Sequence, residues 1–169
     1  TACSSGTSAL HLSLMALGIG PGDYVIVPTI TFLATANSVK YVGANVIFSD
    51  VDSKTGNITP SILENIIKNN STKKIKAVIV VHLNGHVAQI DKIKKIATKF
   101  NLKIIEDACH ALGGAYYKNK NFHQIGSCKY SDLSTFSFHP VKAIAMGEGG
   151  IITTNNKKFD FKMKQIRNH

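Results

Sequence analysis

Six consecutive residues, Ser137-Phe138-His139-Pro140-Val141-Lys142, place a hydroxyl, a rigid proline and a primary amine within one short stretch. A lysine held behind a strand end and a proline can condense with an aldehyde, which makes Lys142 the candidate attachment point for an aldehyde cofactor. Ser137, five residues earlier, is placed to bind a phosphate. An isolated lysine is equally well an ordinary surface amine, so the neighbouring residues have to decide. Gly147-Glu148-Gly149-Gly150 follows, and glycines so close together mark a sharp turn or close backbone packing beside a bound group.

Asp107 stands in Ile105-Glu106-Asp107-Ala108-Cys109-His110. A carboxylate set against the nitrogen of a pyridine ring keeps that nitrogen protonated, because an opposite charge favours the charged form. A protonated ring of this kind is an electron sink for carbanion chemistry. Asp is also a preferred helix N-cap at a strand-to-helix turn, and spacing alone favours that role. Ser4-Ser5-Gly6-Thr7-Ser8 precedes the first helix, where amides and hydroxyls can hold a phosphate or simply cap the helix. Phe32 can stack on a flat ring or fill core. His11, His82 and His86 lack metal-ligand spacing, and Cys3, Cys109 and Cys128 form no paired pattern, so no metal site is expected.

The elements around these residues alternate in type. Residues 7–17 put Leu10, Leu14 and Leu17 on one helical face, and Gly18 to Gly22 end the helix. Strands are expected at 24–27 and 45–49, with a helix at 33–42 between them. Thr59-Pro60 is a helix start, with the proline at the first helical position and a stripe of Ile62, Leu63, Ile66 and Ile67 behind it. Residues 77–81 are a run of small and β-branched residues, as in a strand covered on both faces. A helix at 89–100 and a strand at 103–106 follow. This rhythm predicts an α/β fold with a mixed, mostly parallel sheet and flanking helices. Shorter strands near 114–117, 133–137 and 150–154 are expected as hairpin-like or edge elements. His82 and Asn84, Asp107, and Ser137 then fall at carboxyl ends of strands, where open α/β sheets bind ligands.

Composition narrows the function. The chain has 169 residues, enough for one ordinary domain, and 18% are charged. Its longest apolar run, residues 77–81, is far below the ~20 residues that cross a bilayer. There is no secretory leader pattern, and the odd, scattered cysteines fit a reducing cytoplasm. The formal net charge of +10 can attract a polyanion such as nucleic acid. Lys92, Lys94, Lys95 and Lys99 instead interleave with Ile90, Ile93 and Ile96 at helical spacing, which reads as a solvated helix face, and no nucleic-acid partner is expected. The sequence opens at Thr1 and stops at Asn168-His169 as a helix or its cap ends, so residues 1–169 read as a segment of a longer protein. The P-loop, dinucleotide fingerprint and nucleophile elbow are absent from the sequence.

Taken in order, residues 3–37 (CSSGTSALHLSLMALGIGPGDYVIVPTITFLATAN), the IIEDACHALGG stretch from Ile104 and residues 126–155 (GSCKYSDLSTFSFHPVKAIAMGEGGIITTN) resemble the DegT/DnrJ/EryC1/StrS family of sugar aminotransferases. The resemblance runs over essentially the whole chain. It implies the large domain of a PLP-dependent transferase of the aspartate aminotransferase type (type I), with pyridoxal 5′-phosphate as cofactor. Lys142 would be the Schiff-base lysine and Asp107 the partner of the ring nitrogen. His110 would lie near the ring hydroxyl, Phe32 would stack on the ring, and Gly6, Thr7, Ser8 and Ser137 would bind the phosphate. Lysine at 142 sets the chain apart from the family's dehydrase branch, which has histidine there. Members of the family are longer, which implies that an N-terminal segment and a C-terminal small domain lie outside this chain, and they work as homodimers with a shared active site. The implied reaction is transamination of a nucleotide-linked 4-keto-6-deoxy sugar with glutamate as amino donor. The nearest look is to enzymes that aminate UDP-4-keto-6-deoxy-N-acetylhexosamines for pseudaminic acid. A PLP-binding regulatory protein of the same fold, without turnover, is the alternative.

Overall fold

The computed structural model of the protein describes residues 1–118 and 121–167. A seven-stranded sheet, in the order β1-β9-β8-β5-β4-β2-β3, forms its centre. Its strands are β1 (Ala2–Cys3), β2 (Tyr24–Pro28), β3 (Asn45–Ser49), β4 (Ile75–Val81), β5 (Lys103–Asp107), β8 (Leu133–Ser137) and β9 (Gly150–Thr153). From β3 through β8 every neighbouring pair is parallel, while β9 runs antiparallel to both β8 and β1. A separate hairpin joins β6 (Ala115–Lys118) to β7 (Asn121–Gln124).

Helices cover both faces of the sheet, and two apolar cores result. Helices α1 (Gly6–Ala16), α2 (Leu33–Tyr41) and α5 (Lys157–Ile166) pack Leu10, Leu14, Val39 and Met163 against Val25, Val27, Ile79 and Ile105. On the other face, α3 (Pro60–Asn69) and α4 (Ile90–Lys99) bring Leu63, Ile67, Ile90 and Ile93 onto Ile26, Val78, Val80 and Ile104. The split follows from strand alternation: on β5, Ile105 joins the first core and its neighbour Ile104 the second. Each fully buried aliphatic side chain contributes roughly 1.5–3 kcal/mol by leaving water.

Local sequence explains the helix limits. Thr59 caps α3, its Oγ1 accepting from the Ile62 amide at 3.3 Å, with Pro60 directly after it, as its sequence predicts. On α4, Lys92, Lys95 and Lys99 face solvent and Lys99 reaches Glu64 of α3 at 2.8 Å. These lysines coat a solvated face. No helix among the described residues is long and apolar enough to cross a membrane.

Two expectations are corrected. β8 is not an edge strand: it lies between β5 and β9, and all five of its residues are buried. Its polar groups find partners inside, Ser134 on the Glu106 carboxylate and Thr135 on the Glu106 carbonyl. β9 likewise lies inside the sheet, with the two-residue β1 beyond it at the edge. Helix α5 ends at Ile166, and Asn168 and His169 lie outside the described residues.

Candidate active site

The carboxyl ends of β4, β5 and β8 open into a cavity of about 460 Å³ that is lined by Val81, Asp107 and Ser137 from those ends. That volume is in the range of small-molecule sites. The N-terminus of α1 closes one side and the segment that carries Lys142 another.

Ser5 is the N-cap of α1: its backbone is extended and its Oγ accepts from the Ser8 amide at 3.1 Å. The first amides of a helix have no partner within it, so those of Gly6 and Thr7 are left to face an anion, and both residues line the cavity. Capping and anion binding are therefore shared out along one segment. Ser8 goes to the cap: its hydroxyl lies 2.9 Å from that of Ser4 and 3.0 Å from that of Ser5, and it does not line the cavity. Gly6 has no room for a side chain, since a Cβ there would stand 2.8 Å from the Ser137 Cβ and 3.1 Å from the Cys109 sulphur. That close approach sets the helix mouth beside Ser137. Gly150 allows a second close approach, passing under the Ser5 carbonyl where a Cβ would overlap it.

Asp107 ends β5 and is buried. No helix follows it, so it caps none. One carboxylate oxygen accepts from the Cys109 amide at 3.3 Å and the other from the Thr35 hydroxyl at 2.8 Å, which is itself 2.8 Å from the Thr31 hydroxyl. The acid is thus pinned by α2 and by the turn behind it, with its remaining acceptor capacity toward the cavity.

Lys142, Phe32 and His110 line the same cavity. Burial lowers the His110 pKa from its ordinary value of 6.5, aided by the Lys142 charge and opposed by Asp107, which leaves a neutral imidazole at neutral pH. Burial also drives the Cys109 thiol far up, with the Asp107 charge adding to it, so Cys109 is a protonated wall and not a nucleophile. His139 and Glu148 flank the opening 3.9 Å apart. Phe32 is 71% exposed, and Val141 (77%), Met146 (66%) and Ile144 (54%) surround Lys142 with uncovered apolar surface.

All the sequence-predicted site residues except Ser8 meet at this cavity. Its missed contributors are Thr35, Cys109, His139 and Glu148. Thr35 had no local signal, being 72 positions from the acid it holds. Among the described residues no three His, Cys, Asp or Glu side chains gather as metal ligands.

This donor set fits pyridoxal phosphate: a fixed carboxylate for a ring nitrogen, a helix mouth with hydroxyls for a phosphate, and a lysine lining the same cavity. Comparison with known proteins agrees. The model of the DegT/DnrJ/EryC1/StrS aminotransferase family matches residues 1–169. The chain belongs to that family. It is 46% identical over 166 residues to a GDP-perosamine synthase of Caulobacter vibrioides, covering 98% of this chain and 42% of that protein. It is 44% identical over 168 residues to a UDP-N-acetyl-3-dehydro-alpha-D-glucosamine 3-aminotransferase of Acidithiobacillus ferrooxidans, covering 99% of this chain and 43% of the relative. Among solved structures, NtdA of Bacillus subtilis with bound PMP superposes with a TM-score of 0.85 at 37% identity, over 99% of this chain and 36% of that one. The chain therefore spans well under half the length of the family proteins it matches. Its fold is that of the PLP-dependent aminotransferases, and pyridoxal phosphate is the cofactor of that fold.

Proposed function

We propose that residues 1–169 are the cofactor-binding large domain of an aminotransferase that places an amino group on a nucleotide-linked 4-keto-6-deoxy sugar, with glutamate as donor. The observation that carries this reading is the convergence of Asp107, Lys142 and the Gly6–Thr7 helix mouth on one cavity. Both curated relatives bear names of nucleotide-sugar enzymes, one with GDP and one with UDP. The choice of a 4-keto-6-deoxy sugar rests on the likeness of residues 126–155 to the enzymes that aminate such sugars.

Pyridoxal phosphate, when bound, supplies an electron sink for the carbanion left when a substrate C–H bond breaks. Each residue has its part in that setting. The Asp107 carboxylate would keep the proton on the ring nitrogen, and Thr35 fixes the direction of that carboxylate. Gly6 and Thr7 offer amides to the phosphate, and the Thr7 and Ser137 hydroxyls add to them. Phe32 would offer a flat face to the ring, and His110 would stand near its hydroxyl. Lys142 would hold the aldehyde through Nζ, with loss of water, and its amine, once free, would carry a proton at the reacting centre.

The exposed Phe32, Val141, Ile144 and Met146 support a homodimer in which a second subunit covers the site, since apolar surface grouped in this way marks a protein contact. The unpaired Cys3, Cys109 and Cys128 fit a reducing cytoplasm.

Glutamate added to the PLP-loaded, full-length protein is expected to convert the cofactor to its amine form in a single turnover. A UDP-4-keto-6-deoxy-N-acetylhexosamine should then restore the aldehyde form. Stable PLP binding with no response to glutamate would favour a regulatory protein, and restoration only by a 3-keto sugar would reassign the substrate.

A further inference from the structure

Consecutive residues on a strand leave a sheet on opposite faces, so the end of β5 sends Asp107 into the cavity and Glu106 to the α3/α4 side. Glu106 is buried there. Its Oε2 lies 2.8 Å from His82 Nε2, and its Oε1 accepts from Ser134 at 2.8 Å and from Ser131. His82 is fully buried, and its Nδ1 accepts the Ala88 amide at 3.2 Å. That nitrogen therefore carries no proton, and the single proton of the ring sits on Nε2 facing Glu106. Glutamate and histidine hold one proton between them and together carry one negative charge.

Among the described residues the side chains that donate to Glu106 are His82, whose Nδ1 carries no proton, and the hydroxyls of Ser131 and Ser134. Burial pushes its carboxyl up, and the bonds from His82, Ser131 and Ser134 outweigh that, holding it below its ordinary value. Tyr116 of the hairpin also faces this region. Its phenol is pushed up, first by burial and then by the Glu106 charge, and so stays neutral. A buried anion without a cation beside it is costly, and a purely mechanical clamp could be built from neutral groups. The adjacent residue offers a use for the charge, because Glu106 and Asp107 are both buried and charges in a buried setting are weakly screened.

We infer that Glu106 is a positioning residue for the cofactor site: its buried charge, held by His82, Ser131 and Ser134 behind the sheet, reinforces Asp107 in favouring a cationic ring in the cavity. This rests on the aminotransferase reading, since it needs a ring whose nitrogen can take a proton.

Two probes separate the possibilities, pyridoxamine 5′-phosphate and its 1-deaza analogue, in which a C–H replaces the ring nitrogen. Each is titrated into the full-length protein and its variants, and dissociation constants are compared. E106Q keeps the size of the side chain and removes the charge. It is expected to weaken pyridoxamine phosphate about fivefold to tenfold, and the deaza analogue less than about twofold. H82Q retains a donor toward Glu106 and an acceptor toward Ala88, leaves the charge in place, and should keep the wild-type ratio of the two constants. If E106Q does not fold, the apolar double variant Glu106→Leu, His82→Leu carries the same expectation, because apolar replacement of buried ionic groups is often tolerated. Equal weakening of both probes, or none, would overturn the charge role. Failure of the wild-type protein to bind either probe would overturn the aminotransferase reading and this inference with it.

Discussion

The two sides of the cavity are built differently. On one side, Asp107, Thr35, Gly6 and Ser137 stand on strand ends and helix starts that are packed into the two cores, and the carboxylate already has its partners. On the other, Lys142 sits in a stretch of bends whose neighbours Val141, Ile144 and Met146 are more than half exposed. On the proposed reading the first side would hold ring and phosphate, which needs fixed geometry. The second would carry the amine that attaches, releases and moves a proton. The first side is packed by the chain's own residues, while the second presents exposed apolar surface.

That contrast can be broken or sharpened by substitution. The largest effect is expected for D107A in the assembled enzyme, with turnover down about 10²-fold or more, the scale for losing one preorganised electrostatic contact. Its melting temperature should change far less than its activity. Next comes G6A, whose added Cβ would press on the Ser137 Cβ at 2.8 Å. Overpacking of this kind costs about 1–3 kcal/mol, so cofactor affinity should fall about tenfold in a titration. T35V removes one hydroxyl at nearly constant shape and should weaken cofactor binding about fivefold, matching the ~1 kcal/mol of a single hydrogen bond. Smallest is M146S on the exposed side, which should leave the unfolding free energy of the isolated chain within about 0.5 kcal/mol. The same change should loosen self-association of the full-length protein in sedimentation. A fall in the chain's own stability on M146S, or none in cofactor binding on G6A, would erase the difference between the two sides.

Much of this was legible in the sequence, and the misses share a cause. The parallel strands and their helices follow from apolar period and cap chemistry, and Thr59-Pro60 marks the start of α3 to the residue. The same pattern puts Asp107 and Ser137 at strand ends, where the structure has them lining the cavity. β8 lies inside the sheet and not at its edge because β9 returns antiparallel beside it, and Glu106 of β5 supplies partners for Ser134 and Thr135. At Asp107 the turns that follow remove the helix-capping role, which spacing alone had favoured. Thr35 and the approach of Gly6 to Ser137 join positions far apart in the chain, where period and spacing carry no signal.

The most direct measurement of the central claim is borohydride reduction of the PLP-treated full-length protein, followed by mapping of the labelled peptide. The account predicts a single phosphopyridoxyl label on Lys142, lost in K142A. A label on other lysines with Lys142 unmodified would contradict it.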